Sequence, residues 1–115
     1  MPDAGVPSPD EIAETYFSRV RARDLSVVDL FHQDAELVGL GARKKGHAAI
    51  RDFYGGVIER AGPTPTLVGS LLVDGERVAA EIVIELAGGS TVHAVDVFLV
   101  QQGLIRSLTY FIASE

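Results

Sequence analysis

One acid in an apolar run is the first chemical signal in the chain. Asp96 stands inside Ala94-Val95-Asp96-Val97-Phe98-Leu99-Val100. A carboxylate in such surroundings is costly in its charged form unless it is paired, and otherwise it keeps its proton. Protonated, it becomes a donor able to steady a developing oxyanion. The plainer reading is an ionised group satisfied by a nearby donor. Tyr16 is the second candidate. It falls on the stripe Ile12, Ala13, Tyr16, Phe17 and Val20, where a tyrosine can equally be ordinary core. His93, three residues before Asp96, could take a proton near neutral pH. An offset of three on a regular strand puts the two on opposite faces, so His93 reaches Asp96 only across a β-bulge. The plainer reading of His93 is an outward or dimer-facing side chain.

Other polar residues carry weaker signals. His32 reads as part of a structural turn after a helix, and His47 as a solvated first-turn residue. Glu81 and Glu85 share a strand face with Val83 and read as a pocket carboxylate pair or, more simply, as a solvent or dimer edge. No histidine pair has a carboxylate at ligand spacing, so no metal is expected. No glycine loop leads into a helix as a phosphate cradle requires, and neither Ser107 nor Ser114 has a base partner. No cofactor is expected.

The elements that must position these groups follow from periodicity. Pro2, Gly5 and Pro7 give a loose tail over residues 1–7, ahead of one domain over 8–115. Ser8 and Glu11 form a capping-box pattern with Pro9 in the first turn, and the Ile12–Val20 stripe predicts a helix over about 9–22. Asp24 caps a shorter helix with Leu25, Val28 and Phe31 on one face, ending near Gln33. Residues 35–45 suit a short hairpin. Gly46 opens a third helix with Ile50, Phe53, Tyr54, Val57 and Ile58 as its stripe, stopped by Gly62-Pro63. Strands follow over 66–73, 77–86, 91–100 and 104–112, separated by Asp74-Gly75, Gly88-Gly89 and Gln102-Gly103. Helices first and strands after is the α+β pattern. Several strands are apolar on both faces. One face takes the helices, and a second copy is the simplest cover for the other, so a homodimer through the outer sheet face is expected.

Composition narrows the partners. Net charge is −6 with a pI near 4.9, against a nucleic-acid partner. The basic cluster Arg43-Lys44-Lys45 reads as a solvated hairpin tip. There is no cysteine, which excludes disulfides and thiolate metal sites. No signal-peptide pattern or membrane-spanning run is present, so the expected location is cytoplasmic, with no membrane partner.

The order of elements, with Tyr16-Phe17, Asp24-Leu25, Phe31-His32-Gln33-Asp34-Ala35, Gly46-x-x-x-Ile50-x-x-Phe53-Tyr54, Ala94-Val95-Asp96-Val97-Phe98 and Gly103-Leu104-Ile105, resembles the nuclear-transport-factor-2-like superfamily over about residues 10–113. Within it, the SnoaL-like polyketide cyclases and ketosteroid isomerases are nearest. The resemblance implies a cone-shaped, curved antiparallel sheet packed on three N-terminal helices around an apolar pocket. It implies a cofactor-independent isomerase, cyclase or dehydratase acting on a small hydrophobic carbonyl, steroid- or polyketide-like, with Tyr16 and Asp96 as the oxyanion hole. The isomerases' catalytic base falls at Gly39, which cannot move a proton, and His93 is the substitute. Phe53, Tyr54, Phe98, Val38 and Tyr110 are the expected substrate-lining residues. The alternative is a non-catalytic module of the same fold that binds a hydrophobic ligand or serves dimeric assembly.

Overall fold

The computed structural model describes residues 5–114. The expected tail begins outside the described residues. Where it becomes described, Val6 and Pro7 lie against the turn at Gly103. Helix α1 runs Pro9–Arg21, and the Ser8 amide donates to the Glu11 carboxylate at 2.9 Å as the capping pattern requires. Its stripe from Ile12 to Val20 is buried against the sheet.

The second helix is shorter and tighter than expected. It is a 3-10 helix, Leu25–Leu30, started by the Asp24 carboxylate accepting from the Ser26 amide at 2.9 Å. Phe31, His32 and Gln33 belong instead to strand β1, Phe31–Gly39. So short a segment cannot offset the cost of helix nucleation, and Phe31 gains a ladder position opposite Ile105. Strand β2, Ala42–Lys45, completes the hairpin. Helix α2, His47–Ala61, starts after Gly46 and ends at Gly62, whose left-handed backbone (φ 52°) closes the last turn.

The expected strand over 66–73 is two short strands, β3 (Thr64–Leu67) and β4 (Leu72–Asp74). Both pair antiparallel with the same edge of β5, Arg77–Glu85, and Gly69 (φ 77°) lies in the break between them. Strands β6 (Thr91–Gln101) and β7 (Leu104–Ser114) follow, joined by Gln102 and Gly103, both at positive φ as a tight hairpin turn demands. The sheet order is β2-β1-β7-β6-β5-β3, with β4 also on β5. All neighbours are antiparallel except β1 and β7, which run parallel. The architecture is α+β, helices packed on a curved, unclosed seven-stranded sheet.

Alternation sorts the faces. Val78, Ala80 and Ile82 of β5, Ala94, Asp96, Phe98 and Val100 of β6, and Ala35 and Leu37 of β1 point to the helices and are buried. Asp96, 5% exposed, is the single charged residue buried among those described.

Candidate functional site

Between the helices and one end of the sheet lies an apolar cavity of ≈ 140 Å³. Helix α1 contributes Tyr16, Phe17 and Val20, and α2 contributes Phe53, Tyr54 and Val57. Pro63 and Pro65 wall it beyond the end of α2, and Ile82, Ile84, Asp96 and Tyr110 wall it from the sheet. An apolar cavity of about 150 Å³ takes one benzene ring, so a single ring fits and a larger ligand must extend through the mouth.

Its polar groups are few. The Tyr16 and Tyr54 hydroxyls lie 2.7 Å apart and share a hydrogen bond. Burial pushes the Tyr16 phenol well above its ordinary range, with Tyr54 and Asp96 adding to the effect, and burial likewise raises Tyr54. Both phenols therefore stay neutral. Of their two hydrogens one is used between them, which leaves one free to donate to a third oxygen. Tyr110, opposite Asp96 on β7, is also raised, by burial first and then by Asp96.

Burial raises the Asp96 carboxyl to about 7, and no neighbouring charge or hydrogen bond among the described residues contributes. It is thus the cavity's one group that titrates near neutrality. Neutral it donates, and ionised it accepts a proton.

The expected site residues divide. Tyr16, Tyr54, Phe53, Tyr110 and Asp96 all reach the cavity. His93 does not. Its imidazole Nε2 lies 2.6 Å from Glu81 Oε2 on the outer face, with both side chains a little under half exposed. An irregularity does occur beside it, but His93 pairs with Ser114 and Ala94 with Ile112, so the extra residue sits on β7 and β6 keeps its alternation. Phe98 faces the same way as Asp96 but is sealed under α1, its ring 5.2 Å from Tyr16 and 5.7 Å from Phe17, and forms core behind the cavity. Val38 shares the outward parity of Glu36, which pairs with Arg43, while Leu37 and Gly39 point inward. His32 and His47 hold carbonyls, those of Gln101 and Phe31, at 3.1 and 2.7 Å. Glu81 and Glu85 lie away from the cavity lining.

Gly39, the position to which the resemblance assigns the isomerases' base, has no room for a side chain. A methyl group on it would overlap the Tyr110 ring. The ring of Tyr110 fills the space a side chain at position 39 would enter. Two features were missed in the sequence: the hydroxyl bond between Tyr16 and Tyr54, and the proline wall at Pro63 and Pro65. The stripe placed Tyr54 on the packed side of α2, but no spacing rule links it to a residue 38 positions earlier. Among the described residues no three His, Asp or Glu side chains converge as metal ligands.

Residues 13–108 match the SnoaL-like domain. The chain belongs to the SnoaL-like family. Solved structures agree on the fold. A proposed ketosteroid isomerase of Kribbella flavida superposes with a TM-score of 0.83 at 22% identity, over 93% of this chain and 78% of its own. A proposed polyketide cyclase of Sinorhizobium meliloti gives 0.80 at 23%, over 88% and 94%. An NTF2-like protein of Cytophaga hutchinsonii gives 0.77 at 12%, over 96% and 95%. At these identities the likeness establishes the fold of this SnoaL-like chain and not its chemistry. No curated protein matches it by sequence. No helix among its described residues is long and apolar enough to cross a membrane.

Proposed function

We propose that this SnoaL-like chain is a cofactor-independent isomerase, cyclase or dehydratase for a small, largely apolar carbonyl compound, in which Asp96 moves the proton. The supporting observation is the buried Asp96 carboxyl, held near neutrality by burial in an apolar cavity. The free hydroxyl hydrogen of the Tyr16–Tyr54 pair receives the carbonyl oxygen as it gains charge. Asp96 replaces the base expected from His93, and its role shifts from fixed donor to proton carrier. Carbon NMR should find the Asp96 carboxyl titrating near 7, and exchange of the α-hydrogens of 2-tetralone in heavy water should rise through the same midpoint. Exchange at the buffer rate across that range sinks the enzymatic reading.

One observation favours the second reading, a binding module. The position of the family's base is closed by Tyr110. On this reading 2-tetralone binds and its α-hydrogens exchange no faster than in buffer.

We also propose that the chain pairs with a second copy through its outer sheet face. Val95, Val97 and Leu99 of β6 are half-buried there without helical cover, and Phe111 beside them on β7 is 56% exposed. This contiguous apolar face suits self-association. In sedimentation the wild type should run as a dimer and Val97→Glu as a monomer; a monomeric wild type rules the interface out.

A further inference from the structure

The cavity does not end at its apolar lining. Phe53 and Val57 also line a second, larger groove between β2 and the exposed side of α2. Its other residues include Arg43, Lys44, Lys45 and Arg60, against Asp52 as the groove's own acid. This concentration of cations stands out in a chain of net charge −6. Arg43 is engaged by Glu36. Lys44, Lys45 and Arg60 have no carboxylate within ion-pair distance among the described residues.

Lys44 and Arg60 line the groove beside the two residues it shares with the cavity. Lys44 pairs with Leu37 on the helix-facing side of the hairpin, and its ammonium lies 5.8 Å from the centre of the Phe53 ring, over the residue that separates cavity from groove. Arg60 lies two turns along α2 from Asp52, with Gly56 between them on the same face. A Cβ at Gly56 would meet the Arg60 guanidinium, so the glycine leaves that group lying along the helix surface within the groove. An interior helical glycine is less favourable to the helix than alanine. Here it keeps the floor of the groove open.

We infer that the ligand is amphipathic: an apolar ring enters the cavity, and an anionic group, carboxylate or phosphate, is held outside it by Lys44 and Arg60. This rests on the reading of the cavity as the ligand site and adds the chemical class of what enters. A cavity the size of one ring also requires the rest of a larger ligand to lie in that direction or in bulk water.

A matched pair of probes tests it. 4-Butylphenol and 4-(4-hydroxyphenyl)butanoic acid share a ring and a four-carbon chain and differ in the terminal carboxylate. Titration calorimetry at low salt should find the acid binding about tenfold tighter, as two partly exposed charge contacts allow. The advantage should fall steeply with added salt and vanish in Lys44→Gln/Arg60→Gln, while 4-butylphenol binds that variant as it does the wild type. Equal affinity of the two probes for the wild type overturns the inference and leaves the cavity reading intact, and so does an advantage that survives the double substitution. Binding of neither probe overturns both.

Discussion

Asp96→Asn is expected to make the protein more stable in alkaline solution while removing the proposed proton transfer. In the folded chain the carboxyl sits near 7, against an ordinary value of 3.8, because burial disfavours its charge. Between these two pH values the native protein holds a proton that the unfolded chain has released. Stability attributable to this group is therefore greatest below about 4, declines as pH rises towards 7, and stays reduced above it. A displacement of that size corresponds to on the order of 4 kcal/mol. Asparagine has the shape of the protonated acid and never ionises. Urea unfolding curves of the two proteins should nearly coincide at pH 4 and separate by pH 9, with the variant the more stable. The same variant cannot accept a proton, so exchange of the 2-tetralone α-hydrogens should fall by about 100-fold or more. A variant less stable than wild type at pH 9 would mean that Asp96 is an ionised, satisfied structural group. The two effects have opposite sign, which distinguishes a residue retained for chemistry from one retained for packing.

The sequence made Asp96 legible for a simple reason: alternation in β6 fixes its face, and its neighbours fix the polarity of that face. The same rule placed His93 outside, and only a bulge on β6 could have reversed it. The irregularity that exists falls on β7, a strand whose pairing partner and register are not encoded locally. Alternation alone also misjudged Phe98, because parity gives a direction and not a depth, and α1 crosses directly above that part of the strand. The helix starts and tight turns were readable from caps and glycines, whereas the 3-10 helix was not, since tertiary pairing of Phe31 decides where it stops. The basic groove was beyond reach altogether. Arg43-Lys44-Lys45 looks like a solvated tip until the hairpin is laid beside α2 and Arg60 joins it.

Gly39→Ala is the second large effect, and its sign depends on Tyr110. The backbone at Gly39 is not left-handed, unlike that of Gly41 beside it, so conformation does not require a glycine there. Space does, because an added methyl meets the Tyr110 ring. In the wild-type background the substitution should destabilise by about 1–3 kcal/mol, the usual cost of overpacking. With Tyr110→Ala already present, the obstruction is gone, and alanine in a strand interior should stabilise by about 0.5–1 kcal/mol relative to glycine. Urea unfolding of the two single variants and the double variant measures the coupling directly. A stabilising Gly39→Ala in both backgrounds would show that the ring simply swings aside, and a destabilising one in both would place the cost elsewhere than Tyr110. The coupling bears on function because Tyr110 also lines the cavity, 6.2 Å from Phe53 between ring centres. If the ring is held over Gly39, a carboxylate cannot be restored at position 39 without first removing it. On the proposed enzymatic reading, proton transfer then has no second acidic residue in the cavity lining to call on, and it falls to Asp96.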